Sequence, residues 1–198
     1  MTSEKTDRRI NRTQKLLHNA LHQLMGQKRY DDITVQDIID RADVGRSTFY
    51  AHYQDKEDLA VSGLLEIMDG LNQAIAEADP QGRQLLPTHS LFEHIAGNPH
   101  AFEAMMRDRG MEFFFEKGKQ FWAERLEERL QALLPPGHEP AVPIALIATS
   151  TAGTFVTILK WWLDNKMPYP ADQITRMTDQ LLLPGIWNAL GIEAPSAG

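Results

Sequence analysis

The sequence predicts an all-α protein, and three observations support this fold class. Apolar residues recur at spacings of three and four along most of the chain, which is the period of one helix face. Alternation of apolar and polar residues never extends beyond four positions, so no strand is expected. Helix-breaking residues separate the periodic segments at Gly82, Pro87, Asn98–Pro99 and Pro135–Gly137.

Length and composition are those of a globular protein. The chain has 198 residues, of which 42% are hydrophobic and 24% charged, enough for one or two domains with a buried core. The absence of cysteine excludes disulfides, zinc ribbons and thiol nucleophiles, and fits a reducing compartment. Residues 1–14 are polar and lack the apolar stretch of a secretory signal. We therefore expect a cytoplasmic protein.

Charge is distributed unevenly along the chain. Residues 1–29 contain seven basic and two acidic residues, a net charge of +5. Residues 57–198 have a net charge of −9, and the whole chain has a net charge of −7. A basic head on an acidic body places any nucleic-acid contact at the N-terminus.

The first helix is predicted to end near Gly26 and to be followed by a short turn at Tyr30–Asp32. Thr34 and Asp37 have the spacing of a capping box, and begin a short helix that stops by about Arg41. Asp43 or Gly45 is expected to take the left-handed conformation. The apolar face of the first helix comprises Ile10, Leu16, Leu17, Ala20, Leu21 and Leu24.

A second short helix is predicted at about Arg46–Tyr53, and Asp55 is a plausible N-cap for a long helix that reaches toward Ala78. Further helices are expected at about residues 88–97, 100–108, 111–134, 141–166 and 171–190. We expect the last of these to be bent or interrupted at Pro184–Gly185.

The segment Ile33–Lys56 has the pattern of a helix–turn–helix, whose second helix lies in the major groove of DNA. Arginine can bond guanine bidentately, and small hydroxyl side chains permit close approach to bases. The inner face of the motif would be Ile33, Ile38, Val44 and Phe49. The outer face would present Arg46, Ser47, Thr48, Tyr50 and His52.

Residues 9–60 resemble the DNA-binding domain of the tetracycline-repressor (TetR) family of bacterial regulators. The similarity is closest in RSTFYAHYQDKEDL from Arg46, where Phe49, Tyr50, Tyr53 and Lys56 fall on characteristic positions. Asp43 departs from the usual glycine of the turn, but aspartate tolerates the left-handed conformation. Gly45 is a second departure, since it gives up a side chain at the start of the recognition helix.

The resemblance implies roles for individual residues. Arg46, Ser47 and Thr48 match the base-reading segment. Tyr50, His52 and Lys56 match phosphate contacts, and Thr34 and Gln36 match contacts from the preceding helix. The basic residues Arg8, Arg9 and Arg12 could form a DNA-binding arm or simply a solvated face.

The resemblance also implies a DNA-binding domain at residues 1–56 and a helical effector-binding and dimerisation domain at residues 57–198, whose last two helices pair with their copies. A stripe of small residues at a spacing of four permits close helix packing and fits such a dimer. Its members are Ala141, Ala145, Thr149, Gly153 and Thr157. The uncharged stretch at 141–159 is long enough for a membrane span, but its many hydroxyl residues favour a helix buried nearly all round in a bundle.

A small-molecule pocket in the second domain is a further expectation from the family pattern. The aromatic run Phe113–Phe115, followed by Phe121 and Trp122, would suit an apolar or planar ligand, although ordinary core packing is the alternative for each residue. The candidate pocket residues are Met105, Arg107, Phe114, Trp122, Thr149 and Trp161.

Signatures of catalysis and metal binding are weak. The sequence contains no nucleophile elbow, phosphate loop, Rossmann glycine fingerprint or zinc-protease motif. His18 and His22 share a helix face without an acidic residue, and His89, His94 and His100 surround a loop. We expect no cofactor, no metal and no enzymatic activity.

The sequence therefore predicts a homodimeric transcriptional regulator. It would bind a palindromic double-stranded DNA operator, most simply as a repressor, and would be released by an unidentified small-molecule effector. Two alternatives remain open at this point: an accessory dimer of the same fold without effector control, and an enzyme built on a helical bundle.

Overall fold

The computed structural model describes residues 2–79, 84–99 and 111–194, without the side chains of residues 2–9, 78, 111 and 112. The described residues form eight α-helices and one short 3-10 helix, Tyr30–Asp32, with no strand, so the all-α prediction is confirmed. The predicted helix at residues 100–108 lies outside the described residues. The helices are α1 Thr2–Met25, α2 Val35–Ala42, α3 Arg46–Tyr50, α4 Lys56–Ala78, α5 Thr88–Ala96, α6 Met111–Leu133, α7 Ile144–Asp164 and α8 Ala171–Leu190.

The chain divides into two compact units. The N-terminal unit comprises residues 1–66 and 100–114, and the C-terminal unit comprises residues 67–99 and 115–198. Helices α4 and α6 therefore each contribute residues to both units. The domain boundary expected at residue 56 stays a prediction.

The core of the N-terminal unit forms where α1 packs on α2. Leu17, Ile38, Phe49 and Leu59 are fully buried there, and Leu21 and Leu24 also face inward, as the helical spacing predicts. Ile10 and Leu16 were expected on the same face but are exposed. Leu16 is the immediate neighbour of Leu17 and so points about 100° away from it, which explains the exposure of Leu16.

The capping box predicted at the start of α2 is present. Thr34 Oγ1 accepts a hydrogen bond from the Asp37 amide at 3.1 Å, and Asp37 Oδ2 accepts one from the Thr34 amide at 2.8 Å. Lys28 Nζ lies 2.8 Å from the same carboxylate. Of the two residues proposed for the left-handed conformation, Asp43 adopts it (φ 54°) and Gly45 does not (φ −72°).

Lys56, the first residue of α4, fastens the 3-10 helix in place. Its Nζ donates hydrogen bonds to the carbonyl oxygens of Tyr30 (2.8 Å) and Ile33 (2.9 Å), and lies 3.4 Å from that of Asp31. The ammonium group also sits 4.4 Å from the centroid of the Tyr30 ring, a favourable cation–π position. One side chain therefore joins α4 to the segment that leads into α2.

The core of the C-terminal unit contains an aromatic cluster, where α5 and α7 both pack against α8. The Phe92 ring makes edge-on contacts with Phe155 and Trp162, at centroid separations of 6.1 and 5.1 Å. Trp162 Nε1 donates to the Tyr169 carbonyl at 2.9 Å, so its single polar atom is satisfied inside the core.

Three predicted details differ in the structure. α3 ends at Tyr50 instead of Tyr53, and the His52 amide bonds the Phe49 carbonyl three residues back, which is the tighter 3-10 pattern common at helix ends. α8 continues through Pro184 without interruption. α7 is not buried all round within the chain: Leu146 and Trp161 are 58% and 48% exposed, because its neighbours cover only one face.

Among the described helices, α7 is long and apolar enough to cross a membrane, judged by length and composition alone. Core helices of soluble proteins pass the same test, so this property does not by itself indicate a membrane span.

Replacing Lys56 by Met should destabilise the N-terminal unit. Methionine keeps the length of the side chain but leaves two closely bound carbonyl groups without their charged donor, at a cost of about 2 kcal/mol. Urea unfolding followed by circular dichroism measures this loss. Lys15→Met, at an exposed position of α1, is the matched control; equal stability of the two variants would contradict the role given to Lys56.

Asp37 should make the N-terminal unit sensitive to acid. The ion pair with Lys28, followed by the bonds from Thr34, holds the pKa of the Asp37 carboxyl well below its usual range. Its stabilising contribution is therefore present above the ordinary aspartate pKa of about 3.9 and is lost as the pH falls below it. The difference in thermal stability between the native chain and Asp37→Asn should shrink between pH 6 and pH 3. A constant difference would show that the ionised carboxylate contributes nothing.

Candidate nucleic-acid interface

The segment from α2 to α3 forms a helix–turn–helix within the N-terminal unit. After the left-handed Asp43, the Val44 amide bonds back to the Ile39 carbonyl at 3.1 Å and closes the turn. Phe49 is fully buried and Tyr53 nearly so, and their ring centroids lie 6.0 Å apart. These two aromatic residues fix α3 to the core and leave its other side exposed. Val44, expected on the inner face, is half-buried.

The predicted base-reading residues occupy this exposed side. Arg46 and Ser47 are exposed and Thr48 is partly exposed. Arg46 Nη1 lies 3.4 Å from Gln36 Oε1, and its guanidinium carbon lies 5.8 Å from the Tyr50 ring centroid. The structure thus brings together Gln36 of α2 with Arg46 and Tyr50 of α3. Gly45 leaves room for a side chain, because an added Cβ would meet only hydroxyl oxygens at ordinary contact distances.

Thr34 and Gln36 lie at the beginning of α2, where unpaired amide groups favour a phosphate. The Thr34 hydroxyl is already engaged by Asp37, as acceptor from its amide and as donor to its carboxylate at 2.6 Å. The Gln36 side chain is exposed and donates to Asp40 Oδ1 at 2.8 Å. Both side chains are exposed, and each already has a hydrogen-bond partner within the chain.

The residues expected to contact phosphates are placed differently from one another. Tyr50 is 50% exposed and His52 is half-buried beside Tyr53. The Lys56 ammonium instead directs its donors at backbone carbonyls of its own chain. A phosphate contact by Lys56 stays a prediction, whereas the bonds in the structure give it a positioning role. Of the basic arm, Arg12 is exposed, and the side chains of Arg8 and Arg9 lie outside the described residues.

A chain of hydrogen bonds behind α3 was not foreseen from the sequence. Tyr53 Oη lies 3.1 Å from His18 Nε2, and His18 Nδ1 lies 2.9 Å from Glu66 Oε2. This chain ties the segment after α3 to α1 and α4. The sequence shows that Tyr53 falls on a characteristic family position, but it does not show that His18 lies beside it. Helical spacing pairs His18 only with His22, which is exposed. Burial raises the pKa of the Tyr53 phenol, so it remains protonated at neutral pH.

In the C-terminal unit, a cavity of about 620 Å³ lies among α5, α8 and the residues that flank α5 and follow α4. This volume is within the usual range for small-molecule sites. The lining residues are Asp79, Gln84, Leu85, Leu86, Thr88, His89, Thr175, Asp179, Leu182, Leu183 and Ile186.

The predicted pocket residues do not converge on this cavity. Met105 and Arg107 lie outside the described residues. Phe114 is buried with its ring edge-on to Tyr30, and Trp122 is buried against Phe121. Thr149 and Trp161 are exposed on α7. None of the four described residues lines the cavity, whose walls come from chain segments about 90 residues apart that periodicity could not bring together.

Within the described ranges, no group of three or more His, Asp or Glu side chains could hold a metal ion. His18 bonds Glu66 and Tyr53, and His89 pairs with Glu93 at 3.5 Å. Each of these two histidines therefore has a neighbour that accounts for its position.

Comparison with known proteins places both units in one family. A family model described as "Bacterial regulatory proteins, tetR family" matches residues 17–62, and one described as "Transcriptional regulator C-terminal region" matches residues 87–183. Together they match well over half of the chain and include the helix–turn–helix.

Solved structures show the same fold at low sequence identity. A TetR transcriptional regulator from Streptococcus agalactiae 2603V is 23% identical, with a TM-score of 0.62 over 91% of this chain and 98% of that one. A putative TetR-family regulator from Syntrophomonas wolfei is 20% identical, with a TM-score of 0.65 over 91% and 98%. Thermus thermophilus FadR, a TetR-family repressor in complex with lauroyl-CoA, is 19% identical, with a TM-score of 0.61 over 93% and 99%.

The family models and the helix–turn–helix geometry agree with each other and with the resemblance in the sequence. They identify a DNA-binding regulator and not an enzyme, as expected. The chain belongs to the TetR family of bacterial transcriptional regulators.

Proposed function

We propose that this regulator is a repressor that binds a palindromic operator as a homodimer and is released by a small molecule bound in its C-terminal unit. The observation that carries the proposal is the exposed side of α3, where Arg46, Ser47 and Thr48 stand free of the core that holds Phe49. Because transcriptional regulators act on the chromosome, we place the protein in the cytoplasm.

DNA recognition would divide between the two helices of the motif. Arg46 has the donor geometry for guanine, and Ser47 and Thr48 are small enough to let α3 approach the base edges. Tyr50 and Gln36, at the margin of this surface, would contact phosphates and fix the orientation of α3. Arg46 lies between these two side chains, so it is preordered for its task by the contacts with Gln36 and Tyr50.

A homodimer is supported by the exposed faces of α7 and α8. Leu146 and Trp161 on α7 and Leu181 on α8, which is 70% exposed, are large apolar side chains on these two helices. Ala145, Thr149 and Thr157 of the small-residue stripe are also exposed on α7. Pairing these faces between two copies would bury the apolar side chains and present two recognition helices to half-sites one helical turn apart.

The cavity of the C-terminal unit supports control by an effector. Release requires that the effector bind the DNA-incompetent arrangement of the dimer more tightly than the competent one.

Selection of binding sites from fragmented genomic DNA should recover a palindromic sequence. Arg46→Met should weaken binding to that site by about 10- to 100-fold and relax the preference at one base position in each half-site. Arg176→Met, which removes an exposed arginine of α8, is the control and should bind like the native chain. Recovery of no enriched sequence would contradict operator binding and would favour an accessory dimer.

Leu181→Glu should convert the dimer to a monomer of 22.4 kDa. Two buried glutamates at a symmetric interface cannot both remain ionised without a large desolvation cost. Light scattering after gel filtration measures the mass. Ile67→Glu, at an exposed apolar position of α4, is the matched control and should stay dimeric; a Leu181→Glu variant that also stays dimeric would place the interface elsewhere.

A further inference from the structure

The chain of hydrogen bonds behind α3 centres on His18 of α1, whose imidazole ring is bonded at both nitrogen atoms. Nε2 lies 3.1 Å from Tyr53 Oη, and Nδ1 lies 2.9 Å from Glu66 Oε2. The side chain of His18 is only 15% exposed, whereas that of Glu66 is 57% exposed. The ring therefore links the buried Tyr53 to a carboxylate at the surface.

The ring of His18 is also enclosed by packing. A Cβ added at Gly63 of α4 would lie 3.4 Å from His18 Cδ2, so the ring lies close beside the backbone of that helix. The ring centroids of His18 and Tyr53 are 5.9 Å apart. Helices α1 and α4 and the segment after α3 therefore meet at one side chain, within the N-terminal unit.

The partners of His18 define which nitrogen carries the proton. An ionised carboxylate can only accept a hydrogen bond, so Nδ1 is the donor to Glu66. In a neutral ring Nε2 is then an acceptor, and the Tyr53 hydroxyl donates to it. Burial raises the pKa of the Tyr53 phenol, while hydrogen bonds with Ser62 and Gln14 lower it, as donors to its oxygen do. The partners of this hydroxyl thus come from α1 and α4.

We propose that His18 is a positioning residue for DNA recognition, because it holds Tyr53 in place and Tyr53 in turn seats α3. The Tyr53 ring lies 6.0 Å from that of Phe49 and 6.3 Å from that of His52, so its displacement disturbs the anchor of α3. When the bond is lost, α3 is seated in a smaller fraction of molecules, and operator affinity falls by that fraction. The inference rests on the proposed function, because it names a residue that sets affinity for the operator.

Tyr53→Phe removes only the hydroxyl group and keeps the ring. It should weaken operator binding about fivefold, the equivalent of one ordinary hydrogen bond. Non-specific binding depends mainly on charge and should be unchanged. Fluorescence anisotropy with the operator and with an unrelated duplex of equal length measures both affinities. A variant that is partly unfolded would lose both equally, and an unchanged ratio of the two affinities would overturn the proposal.

A double-mutant cycle separates the bond from general packing. His18→Leu should weaken operator binding at least as much as Tyr53→Phe, which should then have no further effect in that background. Independent losses that simply add would contradict the proposed link. His22→Leu is the matched control, since His22 is exposed one turn along the same helix, and it should bind like the native chain. An equal loss in His22→Leu would assign the effect to α1 in general and refute the role of His18.

Two measurements without DNA keep this inference separate from the proposed function. Nitrogen NMR at pH 8, where an imidazole is ordinarily neutral, should show His18 protonated at Nδ1 and unprotonated at Nε2. The hydrogen-bonded amides of Phe49, Ala51 and Tyr53 should exchange about fivefold faster in Tyr53→Phe, with those of α8 unchanged.

The two sets of results have different consequences. If the NMR and exchange results are as expected but no operator is found, His18 still seats α3 and only operator binding is wrong. If an operator is bound but Tyr53→Phe changes neither amide exchange nor affinity, the positioning role is wrong and the regulator is unaffected. The opposite tautomer of His18 would likewise refute the arrangement of donors on which the positioning role depends.

Discussion

The recognition helix is too short to exist by itself, and the rest of the N-terminal unit is organised around this constraint. Five residues make little more than one turn, far below the length at which an isolated helix is stable in water. α3 therefore depends on the burial of Phe49, with Tyr53 beside it, for both its stability and its direction. The position of the recognition surface therefore depends on the packing of Phe49 and Tyr53 beneath it.

Hydrogen bonds of nearby polar side chains connect the helices that surround Phe49 and Tyr53. The Tyr53–His18–Glu66 chain joins the end of the motif to α1 and α4, and Lys56 joins α4 to the backbone that precedes α2. The capping box fixes where α2 begins, so the left-handed residue Asp43 falls where the turn is needed. Helix α4 takes part in two of these three arrangements, and it continues into the C-terminal unit as far as Ala78.

Sequence reasoning succeeded where the determinants are local. The capping box, the left-handed aspartate and the ends of α1 and α4 follow from residues within a few positions of one another. It did not foresee the backbone partners of Lys56, which lie 23 to 26 residues away, or the cavity, where Thr88 meets Asp179 from 91 residues away. The phosphate contact expected of Lys56 stays a prediction, whereas its bonds to backbone carbonyl groups could be found only from the structure. Aromatic residues in a run indicated a pocket, yet Phe114 and Trp122 pack as core because a helix turns successive side chains toward different neighbours.

Regulation in this chain would depend on a difference in free energy between two arrangements of the dimer, and α4 is the element best suited to carry it. The helix begins at Lys56, which is hydrogen-bonded to the carbonyl groups of Tyr30 and Ile33, and ends one residue before Asp79, which lines the cavity. An effector bound in this cavity would contact the residue that directly follows the C-terminal end of α4. Any resulting shift of α4 is opposed at its other end by the hydrogen bonds of Lys56 and Glu66. Because these bonds are few and individually modest, an effector of the proposed kind would need only a few kcal/mol of differential affinity to change the arrangement that binds DNA.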